Sequence, residues 1–115
     1  MRRGEVRLTD LDPVRGSEAD KRRPAILVSN DHANATAARL QRGVVTVVPI
    51  TSNIARVFRF QVSLPADLTG LPVDSKAHCE QVRAVSVQRL GPGLVRLPAS
   101  VMSEIDDALR LHLQL

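Results

Sequence analysis

The chain has 115 residues and 43% of them are hydrophobic, which suits one domain, over residues 1–115, with a modest core. A net charge of +4 favours an acidic or polyanionic partner, whereas an aromatic content of 2% argues against a binder that stacks bases on exposed rings. The apolar runs are too short to span a bilayer, and no apolar signal segment follows Met1-Arg2-Arg3. We therefore expect a cytoplasmic protein without a membrane partner.

The first half of the chain predicts three strands and one helix. The strands are Glu5–Leu11, Ala25–Val28 and Val44–Ile50, and the helix is Asp31–Leu40. Pro24 favours an extended backbone at Arg23, which places this arginine at the start of the second strand. Asn30 or Asp31 is the expected N-cap of the helix. Pro49 is expected to restrict the third strand to an edge or a strand end.

The second half predicts shorter strands and a terminal helix, which gives about six strands in all. The predicted elements are a half-exposed strand at Phe58–Leu64, a turn at Asp67–Gly70, a loosely patterned stretch at Ser75–Val87, a strand at Leu94–Leu97 and a final helix. Gly91-Pro92-Gly93 is expected to precede the last strand as a break. Pro98 marks the boundary of the final helix and Ser100 is its expected N-cap. Its broad apolar face suits either a subunit interface or packing against the chain's own sheet.

Common catalytic and metal-binding motifs are absent from the sequence, so we expect no metal and no cofactor. His32, His78 and His112 stand far apart, and each is more simply a capping, surface or packed histidine than a catalytic one. Cys79 is the only cysteine, which favours a packed thiol over a reactive nucleophile. Any chemistry is therefore expected from arginines and hydroxyl groups.

Several short motifs follow one another in a characteristic order. They are Gly4-Glu5-Val6, Asp10-Leu11-Asp12-Pro13, Gly16-Ser17-Glu18, Arg23-Pro24-Ala25-Ile26-Leu27-Val28, Pro49-Ile50-Thr51-Ser52 and Glu80-Gln81-Val82-Arg83. With these motifs the chain resembles the MazF (PemK-like) toxins of bacterial type II toxin-antitoxin systems. The resemblance implies a mainly β protein with short helices, an SH3-like antiparallel β-barrel of the CcdB/Kid/MazF kind with a C-terminal helix. It also implies a homodimer, metal-independent endoribonuclease activity and an acidic MazE-like antitoxin.

The resemblance also assigns roles to individual positions. The family's catalytic arginine falls on Arg23 and its catalytic threonine on Thr51. The segments that touch RNA or read bases, together with neighbouring polar residues, give a set of expected RNA-binding residues: Ser17, Glu18, Lys21, Arg22, Ser52, Asn53, Glu80, Gln81 and Arg83. The chain departs from its relatives at Arg7, where they often have an aromatic residue, and at Val87. We expect altered packing or RNA contacts near these two positions.

The chemistry of RNA cleavage fits the assigned pair. Without a metal, the 2′-hydroxyl of RNA is the nucleophile, and the enzyme must orient it, neutralise charge on phosphorus and move protons. The planar guanidinium of Arg23 can clamp phosphate oxygens, and the hydroxyl of Thr51 can donate a further hydrogen bond. A guanidinium is too basic to act well as a general base near neutral pH, so the base is left unassigned. The plainer interpretations are a solvated arginine at 23 and a strand-ending threonine at 51.

Three functions are therefore compared. The first is a sequence-specific endoribonuclease toxin that cleaves single-stranded mRNA, tRNA or rRNA, inhibits translation and growth, and is neutralised by its antitoxin. The alternative is a non-catalytic toxin of the same fold that poisons a protein target such as gyrase. The third is an RNA-binding module, which predicts salt-dependent binding without a cleavage product.

Overall fold

A computed structural model describes residues 1–11 and 22–115 of the chain. Within these ranges the strands are β1 (Glu5–Asp10), β2 (Arg22–Leu27), β3 (Val44–Thr51), β4 (Gln61–Leu64), β5 (Ser75–His78), β6 (Arg83–Ser86) and β7 (Leu90–Arg96). The helices are α1 (Asp31–Leu40), α2 (Ala66–Thr69) and α3 (Ala99–Leu113), and short 3₁₀ turns span Cys79–Gln81 and Val87–Arg89. The strand order is β4-β5-β3-β2-β1-β7, with β6 also on β3, and each pairing is antiparallel. The expected mainly β antiparallel fold with a C-terminal helix is confirmed.

Of the two expected places for Pro49, the sheet edge is wrong, because β3 lies in the middle of the sheet. The strand end is nearly right, because only Ile50 and Thr51 follow Pro49 in β3. One side of β3 pairs with β2, where Pro49 lies opposite Ala25. The other side pairs with β6 as far as Val47 and with β5 from Ile50 onward. Pro49 therefore stands where β3 changes partners on this side, between the last residue paired with β6 and the first paired with β5.

The expected break at Gly91-Pro92-Gly93 lies inside β7, which follows β1 through two irregularities of register. A Cβ on Gly91 would lie only 3.0 Å from the carbonyl oxygen of Leu8, so glycine permits the close approach of the two strands. Arg7 on β1 lies beside this approach, where its Nε donates to the Gly91 carbonyl at 3.1 Å and its Nη1 lies 3.0 Å from Glu5 Oε1. The position where relatives often have an aromatic residue here carries an ion pair.

The predicted strand over Phe58–Leu64 is wrong in its first half, because β4 begins only at Gln61. The N–H of Gln61 donates to the Phe58 carbonyl at 2.9 Å, and the N–H of Phe58 donates to the Gln61 side chain at 3.1 Å. These two bonds close a turn ahead of the strand. The rings of Phe58 and Phe60 stack 5.4 Å apart, and Phe58 is exposed.

The first N–H groups of α1 and α3 donate to oxygens of the residue that precedes each helix. The Asn30 side chain accepts from the Ala33 N–H at 2.8 Å, which confirms the first of the two expected caps of α1. The prediction of Ser100 as the cap of α3 is wrong, because this helix begins two residues earlier than that cap implies, at Ala99, and Pro98 is its N-cap. The predicted turn at Asp67–Gly70 is largely the one-turn helix α2.

Two apolar clusters lie on opposite faces of the sheet, because residues that alternate along β2 and β3 divide between them. The larger one joins the buried face of α3 to strands β1 to β5, and Ile26, Val48 and Ile105 are fully buried in it. The smaller one lies under α1 and the first half of β3, and Val87 packs against it. No helix in the described ranges has both the length and the apolar character needed to cross a membrane.

Candidate active site

Strands β2 and β3 bring Arg23 and Thr51 to the same place. Ala25 lies directly opposite Pro49, and Arg23 and Thr51 are each two residues further along these antiparallel strands, away from the paired region. Side chains two residues apart on a strand share a face. The register that holds Ala25 against Pro49 therefore puts the arginine and the threonine on one face at neighbouring strand ends.

Both residues line a cleft of about 260 Å³. The lining consists of Leu11, Arg23, Pro49, Ile50, Thr51, His78, Gln81 and Arg83. Two guanidinium groups and no carboxylate occur among these described lining residues. A cationic cleft with hydroxyl, amide and imidazole groups is chemically suited to a phosphodiester.

The hydroxyl of Thr51 has a defined role in its own loop. Its Oγ1 accepts a hydrogen bond from the Asn53 N–H at 3.2 Å, which leaves the hydroxyl proton able to donate to a ligand. Ser52 and Asn53 are exposed just beyond β3, and neither is among the cleft-lining residues. The backbone N–H of Asn53 thus contacts the site by donating to the Thr51 hydroxyl oxygen.

The other predicted RNA-binding residues are distributed unevenly around the cleft. Gln81 is exposed and lines it. Arg83 also lines it, and its Nη1 donates to the Leu11 carbonyl at 2.8 Å, so this arginine ties β6 to the end of β1. Arg22 is exposed at the start of β2, opposite Asp10, and is not a lining residue. Ser17, Glu18 and Lys21 lie outside the described residues.

Glu80 faces protein groups more than the cleft. Its Oε2 accepts from Gln61 Nε2 at 2.7 Å, and its Oε1 lies 3.3 Å from Nδ1 of His78. The same ring nitrogen lies 3.2 Å from Gln61 Nε2. Between the two, Cys79 is fully buried, and burial followed by the nearby Glu80 charge raises the pKa of its thiol to about 12. The cysteine is therefore a protonated, packed residue.

Comparison with known proteins identifies the family. The PemK-like, MazF-like toxins of type II toxin-antitoxin systems match residues 2–113. The chain belongs to the PemK/MazF toxin family. It is 58% identical over 115 residues to endoribonuclease MazF9 of Mycobacterium tuberculosis, covering 100% of this chain and 98% of that protein. It is 32% identical over 116 residues to endoribonuclease EndoA of Bacillus subtilis, covering 100% and 96%.

A solved structure extends the MazF likeness to the fold. The MazE-MazF structure from Deinococcus radiodurans (Form-II) matches with a TM-score of 0.79 and 26% identity, over 100% of this chain and 96% of that one. The fold therefore agrees with that of solved MazF toxins.

A larger groove of this MazF-family chain lies elsewhere among the described residues. It has a volume of about 610 Å³ between β4 and α3, and its described lining holds two carboxylates, Glu104 and Asp107, and one cation, Arg59. Carboxylates at this groove disfavour an anionic phosphate. The smaller cleft, which holds Arg23, is therefore the candidate active site, because its charge suits the substrate.

One cleft residue was not selected by the sequence analysis. His78 lines the cleft beside Arg23 and Thr51, and it contacts Gln61 and Glu80. The sequence carried a partial signal, since His78 and Glu80 stand two positions apart within the Lys76–Gln81 stretch. Gln61 comes from another strand and gave none. Among the described residues no group of three or more histidine, cysteine and acidic side chains is arranged to hold a metal ion.

Proposed function

We propose that this protein is a sequence-specific, metal-independent endoribonuclease toxin that acts as a single domain over residues 1–115 in the cytoplasm. The observation that carries the proposal is the cationic cleft that Arg23 and Thr51 line together. The endoribonuclease names of the relatives, one of them 58% identical over the whole chain, support the same activity. Its substrates are single-stranded regions of mRNA, tRNA or rRNA, and their cleavage inhibits translation and growth.

The cleft residues act on the phosphate that is attacked. The guanidinium of Arg23 binds two non-bridging oxygens and offsets the charge that builds up as the 2′-oxygen adds to phosphorus. The Thr51 hydroxyl donates a further hydrogen bond to the same group. Arg83, Gln81 and the polar residues around the cleft bind the flanking nucleotides and select the sequence. Attack by the 2′-hydroxyl gives a 2′,3′-cyclic phosphate and a 5′-hydroxyl end.

The antitoxin and the second subunit are part of this proposal. An acidic, MazE-like segment that folds on binding suits a chain of net charge +4 with a cationic cleft. The solved MazE-MazF structure from Deinococcus radiodurans supports a partner of this kind. The toxin is a homodimer whose RNA substrate lies across the groove between the subunits.

The decisive experiment combines a mixed RNA pool, excess chelator and four proteins. Wild type is expected to cut RNA at one short motif in the presence of EDTA and to leave DNA of the same sequence intact, because DNA lacks the 2′-hydroxyl. Arg23→Ala is expected to lower the cleavage rate by about 10²–10³-fold. Thr51→Ala is expected to lower it less, and Thr51→Ser keeps the hydroxyl and serves as its matched control. Sequencing of the product ends gives the motif.

Several outcomes would contradict the proposal. Full cleavage by a well-folded Arg23→Ala protein would remove that residue from catalysis. Equal cutting of RNA and DNA would exclude 2′-hydroxyl attack. Growth arrest without any RNA product would favour a toxin that acts on a protein target, and salt-sensitive binding without product would favour an RNA-binding module.

A further inference from the structure

Lys76 on β5 carries a positively charged group into the interior of the protein. The residue is only 7% exposed, and its Nζ donates to the carbonyl oxygen of Arg56 in the loop over residues 52–60, here called the β3–β4 loop. No described carboxylate forms an ion pair with it. Burial of an ammonium against a neutral acceptor costs more than burial of an apolar side chain of similar length. Packing alone therefore does not explain a lysine at this position.

Strand pairing places Lys76 beside Thr51. Lys76 lies directly opposite Thr51 on β3, and the register of β2 and β3 brings Arg23 to the other side of Thr51. Residues that face each other across a ladder point to the same side of the sheet, with Cβ atoms about 5 Å apart. Ala77, the next residue on β5, is buried in the larger cluster on the opposite face. Arg23, Thr51 and Lys76 thus form a row across three strands on the cleft face.

The β3–β4 loop has few attachments to the rest of the fold. Residues 52–59 are all exposed, so no buried side chain anchors this part of the loop. The end of the loop is fixed by the two hydrogen bonds between Phe58 and Gln61. Near its centre, the bond from Lys76 to Arg56 is the one hydrogen bond that a strand makes to the loop among the described residues. Lys76 therefore holds the centre of the loop against β5.

The start of the same loop orients the Thr51 hydroxyl. The Asn53 N–H donates to Thr51 Oγ1 at 3.2 Å and occupies one lone pair of this oxygen, which restricts the directions open to its proton. Release of the loop centre would let Asn53 move away and would free the hydroxyl to rotate. A hydroxyl in varied orientations is a poorer donor to a fixed phosphate oxygen. Because Lys76 is not among the described lining residues of the cleft, its effect reaches the site through this loop.

We infer that Lys76 is a positioning residue for RNA cleavage, which holds the β3–β4 loop so that the Thr51 hydroxyl is oriented toward the phosphate. The inference rests on the endoribonuclease function proposed above. Lys76 contacts neither the RNA nor the reacting atoms, and its ammonium stays bonded to the Arg56 carbonyl throughout the reaction. The residue therefore raises the rate of cleavage through Thr51.

A double-mutant cycle separates this role from a general contribution to the fold. Lys76→Met keeps the length of the side chain but removes the ammonium. At saturating RNA it is expected to slow single-turnover cleavage by about 10- to 100-fold, and by no more than Thr51→Ala does. In the Thr51→Ala background it is expected to change the rate by less than about twofold, because no hydroxyl is left to orient. An equal loss of rate in both backgrounds would overturn the inference.

Arg59→Met is the matched control for the lost charge. Arg59 is exposed near the end of the same loop, and its side chain forms no hydrogen bond or ion pair with the described residues. The variant therefore loses one positive charge but keeps the bond at the centre of the loop. Its single-turnover rate at saturating RNA is expected to equal that of wild type. A loss as large as that of Lys76→Met would assign the effect to charge and would overturn the inference.

Backbone order parameters from NMR relaxation test the loop without any nuclease activity. For the amides of residues 53–57 we expect values near about 0.85 in wild type and in Arg59→Met, and below about 0.6 in Lys76→Met. Low values in wild type, or unchanged values in Lys76→Met, would overturn the inference. If Lys76→Met does not fold, Lys76→Gln replaces it in both measurements, because its amide keeps a polar group but ends one bond short of the ammonium position.

The two measurements distinguish failure of the inference from failure of the proposed function. If wild type leaves RNA intact, the endoribonuclease proposal itself fails, whatever the order parameters show. If wild type cleaves, Arg23→Ala does not, and folded Lys76→Met cleaves at the wild-type rate, only the inference fails.

Discussion

Cys79 shows how one buried side chain supports the two polar residues beside it. It has no exposed surface, and its neighbours His78 and Glu80 contact each other above it. Burial raises the pKa of its thiol to about 12, and the Glu80 charge adds to this effect. Because the nucleophilic form of cysteine is the thiolate, the residue is chemically inert in the folded protein.

Alkylation with iodoacetamide at about pH 8 tests this state. A thiol with a pKa of about 12 is ionised on the order of a thousandfold less than an ordinary one at this pH, and burial also blocks the reagent. Mass spectrometry is expected to show slow modification of native protein and rapid modification in denaturant. Since the folded-state pKa lies above the unfolded one, stability is also expected to fall as pH rises above 9.0. Rapid labelling of native protein would contradict the assigned burial.

The two strand-end residues of the cleft could be located from the sequence, but the histidine cluster could not. Pro24 and the apolar run after it place Arg23 at a strand start, and Thr51 follows a β-branched run, so both were expected at strand ends. The place of His78 in the cleft involves a contact with Gln61, which is 17 residues away in sequence and lies on β4. Contacts of this kind follow from strand pairing and side-chain rotamers, which leave no periodic pattern in the sequence.

At the scale of elements, α3 has two unlike halves. Val101, Met102, Ile105 and Ala108 are buried against the larger cluster. The predicted apolar face continues to the helix end, but there Leu111, Leu113 and Leu115 are exposed. The first half therefore stabilises the fold, and the second half is a surface.

Ile105→Ala tests the buried half of the helix. Ile105 is fully buried, so its truncation is expected to lower the free energy of unfolding by about 3 kcal/mol through lost burial and a cavity. Leu115→Ala, at a side chain that is 85% exposed, is the control and is expected to change stability by less than about 0.5 kcal/mol. Urea titrations give both values, and equal effects would contradict the described packing of α3.

Most elements could be predicted because their residues carry a local signal, whereas two errors arose from contacts between strands that are distant in sequence. The cap at Asn30 and the β-branched run of β3 each agree with the structure. The prediction of an edge strand at Pro49 failed because a central strand can exchange partners near a residue that lacks an N–H. The prediction of a break at Gly91 failed because, in the sequence, a glycine that allows close approach of a neighbouring strand looks the same as one that ends a strand. Both errors concern what lies across the sheet.

At the scale of the whole molecule, positive charge favours the approach of the polyanionic substrate that the proposed function requires. The chain has a net charge of +4, and the described cleft lining has two arginines and no carboxylate. Neutralised phosphates release bound cations, so affinity for nucleic acid falls as salt rises. The charge acts over a distance and is not specific for sequence.

RNA affinity of the cleavage-deficient Arg23→Ala protein is therefore expected to depend steeply on salt. If three phosphates are neutralised, the association constant falls about 20-fold between about 50 and 200 mM salt for a single strand. Arg83→Ala in the same background is expected to reduce the slope, because it removes a cleft cation. Fluorescence anisotropy with a labelled oligonucleotide gives both slopes. A flat dependence would exclude electrostatic binding in the cleft.

The pairing of β1 with β7 has a consequence for biosynthesis. Glu5 lies opposite Arg96, so a strand made at the start of translation waits for one made 91 residues later. Until Arg96 has left the ribosomal exit tunnel, β1 lacks the neighbour that covers one of its edges, and the nascent chain cannot complete its sheet. A ribosome that stalls before this point releases a fragment without the finished fold, so a truncated translation product is expected to be harmless to the cell that makes it.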